Sequence, residues 1–233
     1  MTEPKLNTAI IPAAGIGARM HSDRAKQMLE LGGVPVLVHT LRRFQECDAI
    51  HQIILVLQPN LTADALGLVS RYNLTKVARV VGGGPERQDS VYRGLQVVSE
   101  ENAGIIIVHD AVRPFVRPDE IRSVIERASG TGAALMAFAA TDTIKQVKSG
   151  RVARTLDRRR IYYAQTPQAF RYKLIRDAFE RAYEEGFMGT DESQLVERFG
   201  HRVSIVEGSQ INIKITRPFD LRLAEAIQAE FFG

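Results

Sequence analysis

Asn7-Thr8-Ala9-Ile10-Ile11 is a short apolar run that breaks at once into Pro12-Ala13-Ala14-Gly15-Ile16-Gly17-Ala18-Arg19, a glycine loop. So short and continuous an apolar run predicts a buried strand, and glycines in the loop let the backbone come close to a base or phosphate. Beyond the loop, residues 36–44 have helical spacing and 53–57 are apolar and rich in isoleucine, giving strand, loop, helix, strand. The alternation continues with a helix over 61–72, a strand over 76–81, a helix over 89–98, a strand over 104–108, a helix over 121–128 and a strand over 133–139. This order predicts an α/β fold, a mostly parallel sheet covered by helices on both faces.

After residue 139 the period changes. Residues 143–147 and 152–156 are short alternating segments around Ser149-Gly150, a hairpin signal. A lone hairpin is marginally stable, so this one is expected to pair with something else, such as a second subunit. Helices over 174–185 and 192–199, a strand over 203–206 and a helix over 218–231 complete the chain. The expected organisation is one domain over 1–233, with 141–171 inserted as a β-arm.

The sequence has 233 residues, 45% hydrophobic and 25% charged, with a formal net charge of +4, the profile of an ordinary globular protein. Its basic residues are dispersed, which argues against nucleic acid as a partner and suits a small anionic substrate. The longest apolar stretches, 104–108 and 133–140, are far shorter than the roughly 20 residues of a membrane helix. A single cysteine, Cys47, and no secretory leader pattern point to the cytoplasm.

The first loop fits neither common phosphate motif. A dinucleotide fingerprint would need glycine where Met20 stands, and no Gly-Lys-Ser/Thr follows for a P-loop. The loop instead supplies Arg19 and, seven residues on, Lys26, two cations able to neutralise charge on a phosphate in transfer. Gly82-Gly83-Gly84 precedes Ser90, which either hydrogen-bonds a base or caps the next helix. Asp110 follows a buried strand, where it either holds Mg²⁺ against substrate phosphates or pairs internally with Arg113. Lys214 alternates with Ile213 and Ile215 at a strand end and so faces away from them. Arg158-Arg159-Arg160 reads as a solvated turn or an anion contact. His109 is assigned a structural role.

Together these segments resemble the 2-C-methyl-D-erythritol 4-phosphate cytidylyltransferase family. The residues that carry the resemblance are PAAGIGARM (12–20), KQMLELGGVPVL (26–37), GGGPERQDSV (82–91), HDAVRP (109–114), DTIK (142–145), QTPQAF (165–170), TDE (190–192) and NIKITRPFDL (212–221). The resemblance implies a single-domain Rossmann-like nucleotidyltransferase fold with a projecting hairpin arm. It also implies transfer of a cytidylyl group from CTP to a polyol phosphate, with Mg²⁺ and a homodimer joined through the arm.

By the same resemblance Arg19, Lys26, Lys214 and Arg158 are catalytic. Ala13, Ala14, Gly15, Gly17, Gly84, Ser90 and Ala111 bind CTP, and Asp110 sits by metal and ribose. Arg113, Thr143, Arg158, Thr166 and Thr190, with Asp110, line the acceptor site, Thr143 and Arg158 acting across the dimer. Family members usually carry proline before the loop lysine where this chain has Ala25, which implies an ordering cost on CTP binding with activity retained. A cytidylyltransferase for ribitol 5-phosphate, a nucleotide-binding regulatory module and a dehydrogenase are the competing expectations.

Overall fold

The computed structural model describes residues 5–15 and 25–232. The first strand, β1 (Leu6–Pro12), sends Ala9 and Ile11 into the core on one face of the sheet and Ile10 into the core on the other, the period-2 consequence of burial on both sides. Two-residue strands β2 (Glu30–Leu31) and β3 (Val34–Pro35) lead to α1 (Val36–Glu46), β4 (Gln52–Leu57), α2 (Thr62–Arg71), β5 (Val77–Gly82) and α3 (Arg87–Gln96). Then come β6 (Ala103–Val108), α4 (Pro118–Thr131), β7 (Ala133–Ala139) and the hairpin β8 (Lys145–Lys148) and β9 (Arg151–Thr155). The chain closes with β10 (Tyr162–Arg171), α5 (Tyr172–Glu184), α6 (Glu192–Arg198), β11 (Ser204–Glu207) and α7 (Pro218–Phe231).

Seven strands form one sheet in the order β11-β7-β10-β6-β1-β4-β5. Neighbours pair in parallel, except that β10 runs antiparallel to both β6 and β7. Helices α1, α2 and α4 cover one face through Leu41, Phe44, Ala65 and Val124, while α3, α5 and α6 cover the other through Leu95, Phe179 and Val196. A third cluster seats α7, through Ala224 and Ile227, on Val112, Phe115 and Ile215.

Two expectations change. The arm does not extend over 141–171, because Tyr162–Arg171 is a strand in the middle of the sheet. Its apolar pattern is hidden by Gln165, Thr166 and Gln168, which are buried and hydrogen-bonded instead of exposed. The projecting part is β8–β9, every residue of it exposed, with positive φ at both Ser149 and Gly150 as a type I′ turn requires. The second change is at residues 212–217, which form an extended loop and not a strand end. Ile215, fully buried, donates its N–H to Val112 O at 2.9 Å and so anchors the loop.

Candidate active site

β1 is flanked by β4 on one side and β6 on the other, so the connections leaving their carboxyl ends diverge and open a crevice. Ligands of open α/β sheets bind at such a switch point. Here it holds a cavity of about 280 Å³. Ala13, Ala14 and Gly15 form one wall, with Lys26 beside Gly15: a Cβ at that glycine would lie 4.0 Å from Lys26 Cε. Buried Gln27 ties the Lys26 turn to this wall by donating to Ala13 O at 2.6 Å.

The facing wall comes from the loop between β5 and α3. Ser90 Oγ accepts from Gly84 N at 3.1 Å and donates to Glu86 O at 3.2 Å, so it fastens the loop. It does not cap the helix; the cap is Glu86, whose N–H is received by the Asp89 side chain at 3.0 Å. A Cβ on Gly83 would overlap the Ala14 methyl, so this glycine permits the two walls to meet.

Asp110 and Ala111, just past β6, line the same cavity, and Lys214 reaches it from the C-terminal loop. The Asp110 carboxylate is the electrostatic centre. Oδ1 receives Arg87 Nε at 3.1 Å, while Oδ2 lies 2.8 Å from Lys214 Nζ and 3.6 Å from Arg113 Nε. Burial opposes charge on Asp110, but Arg87, Lys214 and Arg113 outweigh it and hold the carboxyl well below the usual carboxylate range. The internal Asp110–Arg113 pair therefore exists as part of a larger cluster.

Antiparallel β10 brings its amino-terminal half to the carboxyl end of β6, which is why Thr166 Oγ1 can accept from Asp110 N at 3.1 Å. Next to it, buried Asn212 donates to Thr166 O at 3.0 Å, and Arg113 Nη1 donates to Asn212 O at 2.8 Å. His109 is fully buried against Phe44, and burial pushes its imidazole down to about 4, which suits the structural role expected of it.

Of the residues expected at the site, Ala13, Ala14, Gly15, Lys26, Gly84, Ser90, Asp110, Ala111 and Lys214 share this cavity, and Arg113 and Thr166 brace its floor. Gly17 and Arg19 lie outside the described residues. Thr190 stands apart, in a neighbouring hollow of about 350 Å³ bordered by α6 and β7, with its hydroxyl on Gln194. Thr143 and Arg158 are exposed on the arm, Arg158 donating to Thr141 O at 2.6 Å, and neither lines the cavity of its own chain. The sequence reading passed over Arg87 and Glu192. Both stood inside quoted motifs, and their signal was a charged residue in the first turn of a helix that opens beside the ligand loops.

The family model for 2-C-methyl-D-erythritol 4-phosphate cytidylyltransferase matches residues 7–230. The chain is 47% identical over 226 residues to the enzyme of that name from Syntrophus aciditrophicus, covering 96% of each chain. It is 46% identical to the one from Acidobacterium capsulatum, over 92% of this chain and 94% of that one. Among solved structures, 4-diphosphocytidyl-2C-methyl-D-erythritol synthase from Anaerococcus prevotii superposes with a TM-score of 0.86 at 32% identity, covering 98% of both chains. The Francisella tularensis 2-C-methyl-D-erythritol 4-phosphate cytidylyltransferase gives 0.79 at 36% identity, covering 95% of this chain and 99% of that one. With the family's motifs gathered about one cavity and its model matched almost end to end, the chain belongs to the 2-C-methyl-D-erythritol 4-phosphate cytidylyltransferase family.

Proposed function

We propose that the cavity between β1 and β6 is where this CTP-dependent cytidylyltransferase converts 2-C-methyl-D-erythritol 4-phosphate to 4-diphosphocytidyl-2-C-methyl-D-erythritol in the non-mevalonate isoprenoid pathway. The observation that carries this placement is the meeting of Lys26 and Lys214, far apart in sequence, on one cavity walled by the Gly15 and Gly84 loops.

In the reaction a non-bridging oxygen of the acceptor phosphate attacks the α-phosphorus of CTP. The bond from that phosphorus to the oxygen bridging the β-phosphate breaks, and pyrophosphate leaves with the bonding pair. No covalent enzyme intermediate is needed, so the protein's task is positioning and charge stabilisation. Backbone groups of Ala13, Gly15 and Gly84, with Ser90, enclose the cytosine. Lys26 faces the triphosphate, where negative charge grows, and the family resemblance gives Arg19 the same role. Lys214 holds the attacking phosphate against the α-phosphate, and Arg113 and Thr166 receive the acceptor.

A metal fits only as a companion of the nucleotide. Asp110 and the exposed Glu86 are the carboxylates on the cavity, and among the described residues no group of three or more His, Cys, Asp or Glu side chains could form a protein cage. Mg²⁺ takes one or two carboxylates with phosphate oxygens, which suits this donor set. Bound there, it would neutralise phosphate charge, with Asp110 as its protein contact.

The exposed β8–β9 hairpin supports a homodimer in which Thr143 and Arg158 complete the partner's acceptor site. Among the described residues no helix is long and apolar enough to cross a membrane, and the one cysteine is free and buried, both in keeping with a cytoplasmic enzyme.

Pyrophosphate release from CTP and magnesium with each acceptor in turn tests the reading. Release with methylerythritol phosphate is expected. Release with ribitol 5-phosphate alone would overturn the acceptor, and none with either would leave a nucleotide-binding module.

A further inference from the structure

Arg87 opens α3 and Glu192 opens α6, yet the two side chains meet as a fork on a fork. Nη1 and Nη2 of Arg87 donate to Glu192 Oε1 and Oε2 at 2.7 and 3.0 Å, and Nε donates to Asp110 Oδ1 at 3.1 Å. Glu192 is 1% exposed, so it cannot touch a substrate itself. A planar guanidinium held on two edges has no freedom to turn, and a lysine could not reproduce the arrangement.

This pair divides the labour of the Asp110 carboxylate. Oδ1 is fixed to the protein frame through Arg87 and Glu192, while Oδ2 is left to Lys214 and Arg113, the cations given above to the reacting phosphates and the acceptor. The neighbouring residue on α3 reinforces the link: Gln88 donates to Phe187 O at 3.1 Å and accepts from Gly189 N at 2.8 Å. The turn that carries Thr190 is thus strapped to the helix start that follows the Gly84 loop and carries Ser90.

Buried ion pairs are seldom maintained for net stability, since desolvation cancels most of the Coulomb gain, but they do enforce one geometry. We propose that Arg87 and Glu192 are positioning residues of the transfer reaction: Glu192 sets the plane of the Arg87 guanidinium, Arg87 sets Asp110, and Asp110 presents Lys214 and Arg113 to the reacting phosphates. The inference rests on the roles given above to those two cations.

Steady-state kinetics of the full-length enzyme with CTP, magnesium and methylerythritol phosphate test it. Glu192→Gln is expected to lower kcat by about tenfold or more while the KM for CTP stays within about threefold, because the groups around the base are untouched. Glu192→Asp keeps the charge and should recover part of that loss. Arg87→Lys combined with Glu192→Gln should be no slower than the worse single variant within about threefold, as for residues acting as one unit.

An unchanged kcat with only a lower melting temperature would make the pair a structural strap and overturn the proposal. So would single effects that multiply in the double variant, or a rise in the KM for CTP alone. If Glu192→Gln does not fold, Arg87→Lys carries the same criteria. A wild-type enzyme that releases no pyrophosphate would instead remove the functional reading beneath it.

Discussion

Lys214 Nζ lies 2.8 Å from Asp110 Oδ2, on a carboxylate that also holds Arg87 and Arg113. The lysine proposed to grip phosphates is thereby stored in place by a counter-ion. Arg87, Arg113 and Lys214 face two buried carboxylates, Asp110 and Glu192, so the cluster keeps an excess of positive charge that phosphate oxygens can join. The same contact ties the C-terminal loop to the end of β6, although more than a hundred residues separate them in sequence.

The two walls of the cavity touch through Gly83 and Ala14. Gly83→Ala would drive a Cβ into the Ala14 methyl and to 3.0 Å from Ser90 Oγ, and overpacking of this kind costs about 1–3 kcal/mol. CTP affinity measured by calorimetry should drop by about tenfold. Ala14→Gly in the same chain should restore most of it, and a double variant as weak as Gly83→Ala would contradict the contact.

His109 makes stability depend on pH. Its pKa is about 4 in the fold against an ordinary 6.5, chiefly through burial, so the unfolded chain takes up the proton first. The contribution is complete above pH 6.5 and is lost as pH falls toward 4, amounting to about 2 kcal/mol by pH 5. Urea unfolding at pH 7 and pH 5 should show the wild type losing more stability than His109→Gln. Equal losses would mean that the imidazole is protonated in the fold.

Ala25 has φ −57° and ψ 132°, within the range that proline imposes. Ala25→Pro should therefore stabilise the chain by about 0.4–1 kcal/mol through its unfolded ensemble and tighten CTP by up to about fivefold. Unchanged nucleotide affinity together with unchanged hydrogen exchange around Lys26 would count against an ordering cost at this turn.

Val147 and Val152 face each other across the hairpin and are 58% and 62% exposed, an apolar pair with no cover of its own. Replacing both with lysine should convert the proposed dimer to monomer in sedimentation velocity and depress kcat, because Thr143 and Arg158 flank the same hairpin. A monomer that retains full kcat would place those two residues outside the reaction.

Most of the parallel sheet was legible because β1, β4 and β6 are continuous apolar runs whose burial on both faces leaves no other reading. β10 was not, since its central residues Gln165, Thr166 and Gln168 satisfy buried hydrogen bonds, and local pattern cannot tell a satisfied buried amide from an exposed one. The site divides the same way. Glycine loops and the residues past β6 sit where strand-end geometry places them. The Glu192–Arg87–Asp110 chain joins segments far apart in sequence, so a charged residue at each helix start was visible while its partner was not.

Pyrophosphate release by Lys214→Ala, compared with wild type on CTP and methylerythritol phosphate, addresses transfer at this cavity most directly. With the melting temperature unchanged, kcat should fall by about 10²–10³-fold, the loss of a single electrostatic donor of about 3–4 kcal/mol. A kcat near that of the wild type would show that the phosphates react somewhere other than between Lys26 and Lys214.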